Sequence, residues 1–305
     1  MKNRRSDVLL ALCGVLVWLL ADGETVRAGA AEALALCARS VVPALFPFFA
    51  VSSLLISMGF GQWAGPLFSG LMALFRLPGA AGSALALGLV GGYPVGARTA
   101  ADLYRRGLLT RDEARRLLTF CSNSNPVFFL SVLGRGVFHS GRVGVWLWLI
   151  HLLCALLTGL LLGRREGGEG RRSPRPAPAA EEARFFSALV SAIRRGAEDM
   201  VHVCGFVVFF YVLTRPLLAI GGRAAAALVG LTELFSLTPL LVPDRFGLVL
   251  AAAASGWGGL SVACQTAAAL EGSGLPVGPC LGGQAVQGAL SALLAAALSG
   301  YILEP

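Results

Sequence analysis

Lysine is almost absent from this chain. Lys2 is the only one among 305 residues, and the other basic residues are all arginine. A Walker-type phosphate loop needs a lysine beside its Gly-rich turn, so an ATP-driven pump of that kind is excluded. Charge of either sign is scarce: 14% of residues, where a soluble domain carries about 25%. With 56% hydrophobic residues and a mean hydropathy of +0.72, the chain reads as an integral membrane protein. It has seven cysteines but no CxxC, and the nearest two, Cys264 and Cys280, are 16 residues apart, so no zinc or redox motif is present. His139, His151 and His202 form no metal-spaced pair, and no nucleophile–base constellation appears. An enzyme is therefore the weakest reading, and no cofactor or metal is expected. The arginines punctuate apolar runs, which is the pattern of membrane-flanking charge and not of a nucleic-acid patch.

What is present is a series of long uncharged stretches. Lys2, Arg4 and Arg5 precede an apolar run at 8–21. Such a run rises about 21 Å as a helix, short of a hydrocarbon core of roughly 30 Å. A secretory signal with a cleavage site in "AGAAEA" at 28–33 is one reading of residues 1–27. A retained first span is the other, favoured by the hydrophobic chain that follows. No charge occurs between Arg39 and Arg76, where prolines and glycines point to one span followed by a broken or re-entrant piece. Residues 77–97 are again uncharged, then six arginines lie between 98 and 116. An uncharged stretch at 117–134 contains "CSNSNPVFF", and 143–163 reads as a plain span with His151 as its only ionisable residue. Residues 164–182, "RREGGEGRRSPRPAPAAEE", read as a cytoplasmic linker between two membrane repeats, 28–163 and 183–305. In the second repeat, 183–198 reads as an amphipathic surface helix. Spans or segments follow at 200–221, 224–243, 246–270 and 272–303.

The two halves share sequence. "GGYPVGARTAADL" at 91–103 and "GGLSVACQTAAAL" at 258–270 agree at seven of thirteen positions. "GLMALFRL" at 70–77 and "GLTELFSL" at 230–237 agree at five of eight, and "FPFFAV" at 46–51 resembles "VVFFYV" at 207–212. Duplicated membrane halves are a transporter architecture, with the site formed by discontinuous helices near the midplane. The segment 104–116 carries five arginines, whereas 271–283 carries none. The positive-inside rule then places these two segments on opposite sides of the membrane, as in an inverted repeat. The expected fold is an all-α polytopic bundle of two inverted repeats with re-entrant or broken helices.

The candidate site residues come from these motifs. Gly91 and Gly92, with Gly258 and Gly259, either let the chain turn within the membrane or simply pack helices closely. Ser122, Asn123, Ser124 and Asn125 offer amide and hydroxyl groups, and Pro126 suits a helix start whose free N–H groups would attract an anion. The bland alternative is a capped helix at the membrane surface. Glu233 is the one charge in 224–243 and is read as the carrier of a coupling cation, Na+ or H+, or else as a helix end near the interface. Arg98 and Gln265 fall at equivalent repeat positions; Arg98 either grips a carboxylate or snorkels to the surface. Ser261 and Thr266 follow the second glycine pair, Tyr93 and Pro94 the first, and all four complete the set. Gln284, Gln287 and Trp257 are weaker candidates.

These motifs, "GGYPVGA", "CSNSNPVFF" and "GWGGLSVACQT" with the arginine-rich segment between, resemble those of the YlbJ-like sporulation integral membrane proteins. That family looks related to the nucleoside-recognition or Gate domains of concentrative nucleoside transporters and spore maturation proteins. The resemblance implies transport of dipicolinic acid, a small aromatic dianion, across the outer forespore membrane. A nucleoside-type solute is the alternative within transport, and a non-transporting Gate-type scaffold is the rival from another class. Expected partners are the lipid bilayer, the small anionic solute, and either further copies of the chain or other sporulation membrane proteins. Nucleic acid is not among them.

Overall fold

Prolines and glycines set where the helices stop, and almost everything between them is helix. The computed structural model describes residues 2–163 and 185–304, and the linker expected at 164–182 lies outside the described residues. Helix α1 (Lys2–Ala21) meets α2 (Gly23–Leu36) at 92°. Helix α2 continues through a wide π turn at Cys37–Val41 into α3 (Val42–Ser57). Pro43 and Pro47 have no N–H to return to the preceding turn, and a π turn is one way the backbone absorbs that gap. Two short helices, α4 (Phe60–Trp63) and α5 (Gly65–Leu74), lead into a hairpin of α6 (Ala81–Gly91) and α7 (Val95–Arg105). Gly88 and Gly96 face each other across its arms, so close that both also touch the Cys121 carbonyl.

A capping box starts α8 (Arg111–Leu118): Thr110 Oγ1 accepts the Glu113 N–H at 3.2 Å, and Glu113 accepts the Thr110 N–H at 2.8 Å. Helical pairing lapses near Phe120 and resumes as a wide helix at Phe128–Val137. Helix α9 (Gly141–Leu162) then crosses fully.

The second half repeats this order. Helix α10 (Phe185–Ile220) is a single rod of 36 residues. The expected surface helix at 183–198 and span at 200–221 are therefore one element, because nothing between them breaks the helix. Helix α11 (Gly222–Thr232), α12 (Leu234–Leu237) and a 3-10 turn (Thr238–Leu240) make a second hairpin with Glu233 at its tip. Helices α6 and α11 have 11 residues each, about 16 Å, half of a roughly 30 Å core, so both hairpins are re-entrant in length. Helices α13 (Arg245–Trp257) and α14 (Gly259–Leu270) form one span interrupted at Gly258, and α15 (Gly278–Leu303) is the closing full span. Among the described residues, four helical stretches are long and apolar enough to cross a membrane: α9, Phe185–Leu218, Arg245–Leu270 and α15. The α1–α2 pair adds a fifth if it counts as one bent span.

The halves run antiparallel. Arg105 Nη2 donates to the Glu271 carbonyl at 3.0 Å and Arg111 Nη2 to that of Gly274 at 3.3 Å. The start of the first broken span thus lies beside the end of the second. Arg142 donates to the Tyr301 and Glu304 carbonyls at 2.8 and 2.9 Å, joining the start of α9 to the end of α15. These contacts correct the expectation that 104–116 and 271–283 lie on opposite sides. Arginines from the first half bond the Glu271 and Gly274 carbonyls just beyond α14, so 271–283 gains its basic partners from 105 and 111.

They also correct the register of the repeat. Gly91–Gly92 sits at a hairpin tip, whereas Gly258–Gly259 interrupts a span. In element order, the second hairpin has Thr232–Glu233 at its tip, and the break before α9 lies at 122–125. Arg98, beyond a hairpin tip, and Gln265, beyond a span interruption, therefore do not hold equivalent places.

Candidate functional site

Each interruption is built from its own residues. Gly92 has φ +84° and Gly259 φ +88°, a region that a side chain strongly disfavours. A Cβ on Gly92 would lie 3.1 Å from the Asn125 side chain, and one on Gly259 would lie 2.8 Å from the Thr232 carbonyl. In each half, therefore, a hairpin tip packs on the interruption of the span that follows it, with glycine at the contact. Both junctions also start a helix. Asn125 Oδ1 accepts the Phe128 N–H at 2.8 Å, and the Glu233 carboxylate accepts the Ser236 N–H.

The four breaks converge on one narrow pocket. Tyr93 comes from the first hairpin tip, Ser124, Asn125 and Phe128 from the first broken span. Glu233, Leu234 and Phe235 come from the second tip, Val262 and Gln265 from the second broken span, and Leu45 and Val203 from α3 and α10. Phe128 and Phe235 meet edge to face, 5.6 Å between ring centres, so the halves share an aromatic wall. The polar lining is a phenol, a hydroxyl, two amides and one carboxylate. Among the lining residues there is no arginine or lysine. Glu233 is 2% exposed and has no basic side chain within ion-pair distance among the described residues.

The cavity gathers Tyr93, Ser124, Asn125, Glu233 and Gln265 from the sequence candidates. Gly92, Gly258 and Gly259 shape it from behind, with Gly91 buried next to them. Asn123 turns away: its Nδ2 donates to the Phe120 carbonyl at 2.9 Å and its Oδ1 accepts Gln287 Nε2 at 3.0 Å. Ser122 and Thr266 face the Cys280 thiol on α15, and Ser261 accepts Gln265 Nε2 at 3.3 Å. Trp257 also faces away and donates to the Leu231 carbonyl at 3.0 Å.

Arg98 and Pro94 belong to a different, smaller pocket between α3, α7 and α10. There Arg98 is ion-paired with Asp199 on α10, each side chain 24% exposed. Arg195 reaches Ser53 and Ser57 at 3.2 and 3.1 Å at the same level. One peptide bond, Tyr93–Pro94, separates the two pockets.

The residues that sequence reasoning underrated are His151, Gln287 and the two phenylalanines. His151 Nε2 accepts the Ser124 N–H at 3.2 Å, deep in the bundle. Its signal was legible, as a lone ionisable group in a membrane span. Phe128 and Phe235 gave none, because phenylalanine is ordinary in such helices.

Residues 38–139 match the family model described as nucleoside recognition, the Gate domain. That stretch contains the first hairpin and the first broken span, one wall of the cavity. Over 195 residues the chain is 34% identical to the sporulation integral membrane protein YlbJ of Bacillus subtilis (strain 168). The match covers 58% of this chain and 48% of YlbJ, so it spans about half the length of that curated relative. No solved structure matches the chain significantly. The chain is thus similar to the sporulation integral membrane protein YlbJ over about half of that protein's length, and to the nucleoside-recognition Gate domain in its first half.

Proposed function

We propose that this protein is a sporulation membrane transporter that carries a small aromatic solute by alternating access, with dipicolinic acid as the solute. The observation that carries the reading is the convergence of four helix interruptions, two from each inverted half, on one cavity. Discontinuous helices around a shared central site are the architecture of secondary transporters, and irregular backbone at membrane depth persists where it lines a cavity. The aromatic wall suits a planar ring. The Asn125 and Gln265 amides, with helix starts at Phe128 and Gly259, suit its carboxylates. Glu233 would repel a dianion unless it carries a proton or a coupling cation such as Na+, and that is the role proposed for it. By the resemblance, the membrane would be the outer forespore membrane.

One observation favours a second solute. No basic side chain lines the cavity, a lining that fits a neutral heterocycle such as a nucleoside. The test is uptake by purified protein in liposomes of radiolabelled dipicolinate and, separately, uridine, with Asn125→Ala and Gln265→Ala alongside the wild type. Dipicolinate uptake lost in both folded variants supports the proposal. Uptake of uridine alone keeps the transporter and replaces the solute. Uptake of neither, under imposed Na+ and H+ gradients, sinks transport in favour of a membrane scaffold.

A further inference from the structure

His151 is 1% exposed in α9, facing neither the cavity nor an ion-pair partner among the described residues. What it touches is the interruption itself. Where helical pairing lapses after Cys121, backbone N–H groups lose their intrahelical acceptors, and at membrane depth no bulk water replaces them. The Ser124 N–H finds its acceptor in His151 Nε2, 3.2 Å away. A ring nitrogen that accepts carries no proton, and Gln287 Nε2 lies over the same ring, 3.3 Å from both Nδ1 and Nε2. Gln287 on α15 closes the arrangement from the other half. Its Nε2 lies 3.0 Å from Asn123 Oδ1 and 3.3 Å from the His151 carbonyl. The two full spans, α9 and α15, therefore hold residues 123 and 124 between them. The next residue is Asn125, and both Ser124 and Asn125 line the cavity.

We infer that His151 is a positioning residue for solute recognition. By accepting the Ser124 N–H it fixes the interrupted segment in the conformation that places Ser124 and Asn125 in the cavity wall. Gln287 clamps the neighbouring Asn123. The solute part of this inference rests on the transport reading of the cavity; the backbone part does not.

The test therefore has two readouts. Hydrogen–deuterium exchange of purified protein is followed over 119–127, and uptake kinetics are followed for dipicolinate and uridine. His151→Gln keeps an acceptor oxygen near the place of Nε2, and His151→Phe removes it. His151→Phe is expected to speed exchange about tenfold in 119–127 and not in α13 or α15, and to raise KM about tenfold with little change in maximal rate. His151→Gln is expected to restore both. Unchanged exchange at 119–127 in His151→Phe, acceleration spread evenly over the helices, or His151→Gln behaving like His151→Phe would each overturn the inference. If His151→Phe does not fold, Gln287→Leu replaces it, with the same local exchange expected. If the wild type carries neither solute, the transport reading fails, while the exchange pattern still decides whether His151 holds the segment.

Discussion

The Tyr93 hydroxyl, at the tip of the first hairpin, donates to the Ser255 carbonyl 3.0 Å away in the broken span of the opposite half. Ser255 lies in the last turn of α13, where the interruption at Gly258 leaves carbonyls without intrahelical partners. A phenol from one repeat thus completes the backbone of the other, and Ser124 Oγ adds a longer contact to the same oxygen at 3.4 Å.

Tyr93→Phe should therefore cost about 1 kcal/mol, since the second donor remains. Tyr93→Phe with Ser124→Ala should cost more than the sum of the two single changes, because the carbonyl is then orphaned. Thermal unfolding in detergent of the four proteins of this cycle measures the coupling. Strict additivity would show that the shared acceptor does not matter.

Gly259→Ala should destabilise by about 1–2 kcal/mol from the left-handed backbone alone, with a further cost where the new methyl meets the Thr232 carbonyl. Gly205→Ala, on α10 with nothing within 4 Å of its Cβ position, should be neutral or slightly stabilising. Comparing their melting temperatures checks the pair, and equal effects would contradict the proposed contact.

Arg98 and Asp199 join the first hairpin to α10 across the smaller pocket. As a closure between hairpin and long helix, the pair should work with its charges exchanged. Arg98→Asp alone should lower uptake about tenfold or more, since it sets two acids together, and Arg98→Asp with Asp199→Arg should recover most of it. Failure of the exchange with the fold intact would return Arg98 to the role of a direct solute ligand.

Glu233→Gln should remove the dependence of uptake on the driving cation gradient while leaving solute exchange between equally loaded compartments. Counterflow measured beside gradient-driven uptake separates the two. Gradient dependence that survives the change would remove Glu233 from coupling.

Asp244 caps α13 at the edge of the bundle. Its carboxyl is held below the ordinary value of 3.8, first by the Gly247 N–H at 2.7 Å and then by Arg223 at 2.9 Å. A depressed carboxyl contributes stability above its unfolded value, and loses it as pH falls through the lower folded value. The loss therefore lies on the acid side of about pH 4. Asp244→Asn keeps a capping oxygen but cannot titrate, so its melting temperature should fall less steeply than the wild type's as pH drops from 5 to 3. Parallel curves would remove Asp244 from the acid response.

Composition alone determined that this is a helical membrane protein, because so few charges cannot cover a soluble surface. The residues of the breaks were legible too. Gly92, Pro126, Gly258 and the lone Glu233 each violate what an uninterrupted membrane helix tolerates, and such violations are visible one position at a time. Which break faces which was not legible. The identity of "GGYPVGARTAADL" and "GGLSVACQTAAAL" paired a hairpin tip with a span interruption, because a left-handed glycine serves both and sequence similarity does not record direction. The charge asymmetry misplaced 271–283 for a related reason: Arg105 and Arg111 cap its carbonyls from 166 and 163 residues away. Arg98 and Tyr93 are five residues apart, yet they serve different pockets. Only packing decides which side of a hairpin tip a side chain takes, and only packing brought His151, Gln287 and Asn123 together from three separate spans.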